Sequence, residues 1–449
     1  MVYPVKNLRL KFIQDEDYPT VYEGSCPVEI ICFKADYMDS SSSHNTSTAN
    51  LIDNLYTQMQ LKTPPQEFME TYGSQMGDNA YDIVTAIRGY PIICFYSEGN
   101  SDTYTYIGRY NFNLDKATPE PFGFPPMYIK TGKTVTDNEG RTRDIVAAVG
   151  CQVEEVEGAT VLPLDEEGKE IVKTLTQCWE ILNNDVGSPS KFIYDPNEYD
   201  SFMDSLMALT GEKKELNWLN FYEDRYPDEF VGDAEDNKVT PEAAMAFMRL
   251  AEWINSTDFT SAQVAASLTE EEKAARKQKF IDEFENYFNK DFALFYYCLT
   301  MALLMMDSRA KNMMIATWDC KTWYPIFYDM DSMLGINNTG YNKFSFDTED
   351  DPADLVFTGY DSVLWNNMRE CFFQDICEFY ARMRGTGGLT VENLLKYYNT
   401  NSADRWNEAL TTADAEYKYI RPYETGYLDT SGSEAVQVTP GLRNYLYAA

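Results

Sequence analysis

At 449 residues, the chain is long enough for two or three domains with substantial cores. Its formal charge of −35 argues against nucleic acid as a partner for most of the surface, and its 33 Tyr, 25 Phe and 7 Trp exclude a disordered acidic tail. No run reaches the roughly 18 apolar residues of a membrane span, Met1 to Lys6 carries no secretory signal, and nine scattered cysteines without a CxxC do not make a disulfide framework.

Residues 5–13 alternate as a half-buried strand. Val28 to Phe33 reads as a buried strand that delivers Lys34 at its end. A polar segment, residues 39–46, leads into a helix from about Ser47 to Met59 with Leu51, Leu55 and Met59 on one face. Residues 90–98 and 103–114 form a hairpin around Gly99-Asn100, and the aromatics from Tyr104 to Phe112 read as hairpin packing. The Pro-, Gly- and Thr-rich stretch 117–145 reads as an exposed loop. Gln177 to Asn184 is extended. From about residue 196 helices dominate: Pro241 to Asn255, then Glu270 to Met306 with a break near Asn289. The Phe292–Met306 portion is apolar almost all round and so belongs inside. Further helices fall near 362–384 and 391–398. The uncapped apolar end, 442–449, predicts a chain that continues into a longer polypeptide. Taken together these features describe a soluble chain folded in a reducing compartment.

The stretch richest in chemistry is Asp307-Ser-Arg-Ala-Lys-Asn312, followed by Met313 to Trp318, a polar turn at 319–321, and Thr322 to Ser332 with Asp329 and Asp331 near its end. An acid and an amide five residues apart, then a strand pair that returns a carboxylate to the same place, suit phosphoryl transfer. There a carboxylate takes the acceptor proton, and an amide oxygen and a second carboxylate hold Mg²⁺, which prefers hard oxygen ligands. Asp307, Asn312 and Asp329 fill these roles in chain order. The bland alternative has Asp307 capping a turn and the later pair bonding a loop. Lys34 also has two readings, a contact to nucleotide phosphates or a stem that carries its charge to solvent. Histidine-rich zinc sites are excluded, because His44 is the single histidine. No G-x-G-x-x-G or G-x-x-x-x-G-K-[ST] phosphate cradle occurs.

On Phe33 to Ser40 with Asn45, Tyr106 to Asn113, Asp307 to Asn312 and Tyr324 to Gly335, the chain resembles the spore-coat CotH kinase family across roughly residues 25–340. The resemblance implies an α+β, two-lobed, atypical protein-kinase-like fold with a strand-rich N-lobe and a helical C-lobe. It makes Asp307 the catalytic aspartate, Asn312 and Asp329 magnesium ligands, Asp331 a second acid at the metal, and Lys34 a nucleotide contact, with Mg²⁺ and ATP as cofactors of an active enzyme. The lobes are expected at 1–150, including the loop 117–145, and 151–400, with an extension at 401–449. Residues 328–340, Trp179 to Asn184 and Arg225 to Asp228 further resemble CotH-like modules in tail and muzzle proteins of crAss-like bacteriophages. That implies a virion structural component made in the host cytoplasm, surrounded by other tail proteins in a multi-copy ring. The alternatives are an active CotH-type kinase acting on a virion or host protein, and a cell-surface or spore-coat kinase. One departure stands out: the family shows Arg-Asn where this chain has His44-Asn45.

Overall fold

The computed structural model describes residues 7–14, 18–36, 44–99, 102–116, 118–181, 222–227, 241–305, 308–309, 312–334 and 362–401, plus short strands at 428–429 and 436–437. The first part is built on four strands, β1 (Leu8–Lys11), β2 (Ile30–Lys34), β3 (Gly89–Tyr96) and β4 (Thr105–Leu114), in an antiparallel sheet of order β1-β2-β4-β3. β2 is central and mostly half-buried rather than fully buried. It ends in the pairs Phe33↔Phe112 and Lys34↔Asn111. Successive residues of a strand face opposite sides. Phe33 therefore packs on Tyr110 and Phe112, while Lys34 projects from the other face at the strand's end.

Between β2 and β3 lie helices α1 (His44–Met59) and α2 (Pro64–Met76). Leu51, Leu55 and Met59 form the buried stripe that their i, i+4 spacing predicts. The helix starts at His44, inside the segment read as polar linker, and its polar first turn, His44 to Thr48, is buried. α2 has no counterpart among the elements expected from the sequence. Its start is written in Thr63-Pro64-Pro65-Gln66, where prolines occupy the first turn and Gln66 Oε1 accepts the Thr63 N–H at 2.7 Å.

The expected loop 117–145 is instead largely a β-hairpin, β5 (Met127–Thr136) with β6 (Thr142–Val149). Asp137 closes it by accepting the N–H groups of Glu139 and Arg141 at 3.0 and 2.8 Å. Most of β5 is exposed on both faces. It therefore lacks the alternating apolar signal by which a strand is read from sequence. A smaller hairpin, β7 (Glu154–Val156) with β8 (Ala159–Val161), follows.

The second sheet gathers β9 (Gln177–Ile181), β10 (Tyr222–Tyr226), β11 (Met313–Thr317) and β12 (Tyr324–Ile326), in antiparallel order β10-β9-β11-β12. All residues of β9, β11 and β12 are buried. The later helices are α3 (Pro241–Ser256), α4 (Ala262–Ser267), α5 (Glu270–Tyr287), α6 (Lys290–Ala302), α7 (Val363–Cys371), α8 (Phe373–Gly385) and α9 (Val391–Asn401), of which α6 packs on β12 and α9 on α1. The expected break near Asn289 is a cap: Asn289 Oδ1 accepts the Phe292 N–H at 3.2 Å, and α6 is buried from Phe292 to Thr300. Trp179 of β9 stacks on Phe247 of α3 at 4.6 Å, and Tyr296 of α6 lies 4.4 Å from the ring of Phe327.

The molecule is thus a mixed α+β protein in which one hydrophobic cluster runs from Val21 to Tyr398. The first sheet's side meets the second directly, since the Phe327 N–H donates to Thr85 O at 3.2 Å and Ala86 bridges Phe327 in parallel. This link fixes where the chain leaving β12 passes the end of β2. The apolar end 442–449 lies outside the described residues. Among those described, no helix is long and apolar enough to cross a membrane.

Candidate functional site

Three of the sequence-predicted residues converge. Lys34, at the last position of β2, places Nζ 3.0 Å from Asp329 Oδ1, across 295 positions of sequence. Asn312, immediately before β11, donates from Nδ2 to the other oxygen of the same carboxylate at 3.4 Å. β11 and β12 do the positioning. They pair at Met314↔Ile326, Ile315↔Pro325 and Ala316↔Tyr324, which holds the residue before one strand beside the residues after the other. Asp329 sits three positions past Ile326.

Asp36, Asn312 and Asp329 share a backbone peculiarity, with φ of 38°, 56° and 50°. Left-handed geometry is uncommon outside glycine, and Asp and Asn are the types that tolerate it. Such residues cluster at functional sites, where the surroundings hold the conformation in place.

The electrostatics follow from burial. Desolvation pulls the Lys34 ammonium toward neutrality, but the Asp329 carboxylate, Tyr328, Asp36 and Asp331 outweigh it and hold its pKa well above the usual lysine range. The cation is therefore fixed through the neutral range. The phenol of Tyr328 is pushed up by burial, against the opposing pull of Lys34. Lys34 and Lys116 both stand over this ring, at 5.3 and 4.6 Å from its centroid.

Asp331 is two residues along. Its carboxylate accepts the Ser332 hydroxyl at 3.4 Å and its backbone carbonyl accepts from His44 Nδ1 at 2.9 Å. A carbonyl cannot donate, so the tautomer with the proton on Nδ1 is the one that fits. Next to it, Asn45 Oδ1 accepts the buried N–H of Met330 at 2.6 Å. The departing pair His44-Asn45 thus has a structural use: it clamps Asp329-Met330-Asp331 to the N-terminus of α1. Composition gave no sign of this, because the two halves lie 285 positions apart. Replacing Asn45 with Ala leaves the Met330 N–H buried without its acceptor, so chemical denaturation should show a loss of about 1–3 kcal/mol.

The Asp307 loop has its own anchor. Arg309 donates from Nε to Thr300 Oγ1 at 2.8 Å and from Nη2 to Tyr297 O at 2.7 Å, and its guanidinium lies 3.8 Å over the Tyr297 ring. Burial lowers its pKa against the opposing influence of Tyr297. The Tyr296 hydroxyl donates to Ser308 O. Asp307 itself, and residues 37–40 of the Phe33–Ser40 stretch, lie outside the described residues. Asp53, the one acid that α1 could have offered Lys34, pairs with Arg88 at 2.9 Å instead.

Among the described residues, no group of three or more His, Cys, Asp or Glu could hold a metal. The donors at hand are the Asp329 carboxylate and the Asn312 amide, whose two ends are interchangeable by a flip, with the Asp331 carboxylate near enough to act on the Lys34 charge. That set suits Mg²⁺, which keeps several waters and takes few protein oxygens, and does not suit zinc, which takes Cys and His. No protein-family model and no curated protein matches the chain.

Proposed function

We propose that the chain is a kinase-like phosphoryl-transfer protein that binds a Mg²⁺–nucleoside triphosphate, with ATP as donor, at Lys34, Asn312 and Asp329. The two-lobed frame and the CotH-type arrangement belong to this reading, with the first sheet and α1 as one lobe and the second sheet and its helices as the other. The observation that supports it most is the meeting of Lys34, Asn312 and Asp329 from separate parts of the chain at hydrogen-bond distance. Chance pairing of a surface lysine with an acid does not require two left-handed non-glycine residues to face each other.

In this reading Lys34 neutralises phosphate oxygens, and Asp329 and Asn312 hold the metal. Mg²⁺ when bound supplies charge neutralisation to the phosphates. Asp307 is the base for the acceptor hydroxyl, two residues ahead of the Arg309 anchor. The placement in a bacteriophage tail, as a structural component in which this site goes unused, rests on the sequence resemblance. The retained donor set favours the catalytic reading over it.

Isothermal titration tests the proposal. Mg²⁺-ATP should bind wild-type protein, ATP in EDTA should not, and γ-labelled ATP should label an acceptor. A folded protein that gives no heat with Mg²⁺-ATP sinks it.

A further inference from the structure

Close to Tyr328 lies a second charged group that the three site residues do not use. Glu180, on the buried strand β9, is 2% exposed. Its Oε2 accepts from Lys116 Nζ at 2.9 Å and from Arg225 Nε at 2.6 Å. Arg225 also donates to Glu223 Oε2 at 2.6 Å. Lys116 comes two residues after β4, and its side chain is 28% exposed against 10% for Arg225.

Two cations on one carboxylate oxygen is more than a buried acid needs. Leaving a buried charge unpaired is what costs stability, and Arg225 alone prevents that. Lys116 can therefore leave Glu180 without stranding it. Its ammonium already stands over the Tyr328 ring that Lys34 also covers, beside the residue that precedes Asp329. The sequence carries neither G-x-G-x-x-G nor G-x-x-x-x-G-K-[ST], which gives side-chain cations near the site a larger part in neutralising a polyphosphate.

We infer that Lys116 is a second phosphate-contacting residue of this site, resting on Glu180 without nucleotide and turning to the polyphosphate when it binds. The inference rests on the nucleotide-binding reading above. It makes the ligand class a polyphosphate held between two lysines, with Glu180 and Arg225 as positioning residues.

The test compares wild type, Lys34→Met, Lys116→Met and Lys116→Arg for Mg²⁺-ATP affinity and for melting temperature without ligand. Lys116→Met should melt close to wild type yet bind Mg²⁺-ATP about tenfold more weakly or worse, and Lys116→Arg should recover most of the loss. If Lys34→Met loses affinity while Lys116→Met keeps it, Lys116 is only a partner for Glu180 and the inference fails while the site stands. If wild type does not bind at all, both fall together. Should Lys116→Met not fold, lysine labelling of wild type decides. Protection of Lys116 by Mg²⁺-ATP but not by Mg²⁺ alone supports the inference, and equal labelling in both overturns it.

Discussion

Asp329→Asn should remove Mg²⁺-nucleotide binding and with it any phosphoryl transfer. Asn is the informative replacement because it tolerates the left-handed backbone at φ 50°, whereas Ala would add conformational strain to the loss of charge. The side chain keeps its size and loses only its negative charge. Two consequences follow. On the proposed reading a bound Mg²⁺ would lose its carboxylate ligand, so the stabilisation that a ligand confers at a hundredfold excess over Kd, about 2.7 kcal/mol, should be missing from thermal unfolding. Any transfer rate should fall by about 10²–10³-fold or more, the range seen when one charge-stabilising group is removed from a reacting centre. Lys34 meanwhile loses its 3.0 Å partner, and burial then pulls its pKa down. The cost in stability falls between the ~1 kcal/mol of a surface pair and the ~3 kcal/mol of a buried one, since the side chains are 18% and 27% exposed. An Asp329→Asn protein that binds Mg²⁺-ATP as wild type does would remove the metal-ligand role.

The three converging residues were legible because each is announced locally. Lys34 ends an apolar run, Asn312 stands just before a short strand, and Asp329 just after the strand that pairs with it. A tight strand pair has one way to fold, so sequence spacing becomes spatial proximity. The clamp at His44 and Asn45 was not legible. They read as linker because the segment is polar, and they are buried because Asp331 and Met330 meet them from the far part of the chain; on the next turn Ser47 donates to Tyr397 O and the Thr48 and Tyr398 hydroxyls lie 2.6 Å apart, both partners on α9. The same limit hid Lys116, Glu180 and Arg225. Glu180 sits in a wholly buried strand whose pairing with β10 brings Arg225 back across 45 residues, and no short-range pattern encodes that meeting. The β5–β6 hairpin failed for the opposite reason. Its Lys, Thr and Gly content is that of a loop, and only its backbone pairing makes it a strand.

Arg309→Lys should test whether the loop ahead of Asn312 is held by the guanidinium's shape or by its charge. The guanidinium presents separate N–H groups to Thr300 Oγ1 and Tyr297 O while its plane covers the Tyr297 ring. An ammonium keeps the charge but cannot make both bonds and the stack at once. Lysine is also more readily neutralised when buried, and this position already pulls Arg309 down. Denaturant unfolding of Arg309→Lys should therefore show a loss of about 2–3 kcal/mol, and of Arg309→Ala about 3–5 kcal/mol, because the alanine adds an empty volume and takes the guanidinium's N–H donors from Thr300 Oγ1 and Tyr297 O. Activity should fall further than stability explains. Ser308 and Arg309 are the described residues that tie the Asp307–Asn312 segment to α6, through Tyr296, Tyr297 and Thr300. A displacement of about 1 Å at a reacting group can cost on the order of a hundredfold in rate. At temperatures where both variants remain folded, Arg309→Lys should bind Mg²⁺-ATP with reduced affinity through Asn312 and transfer phosphoryl poorly. A variant that loses 2–3 kcal/mol of stability yet keeps wild-type affinity and rate would show that Arg309 serves the core alone and that the site is positioned by β11 and β12 without it.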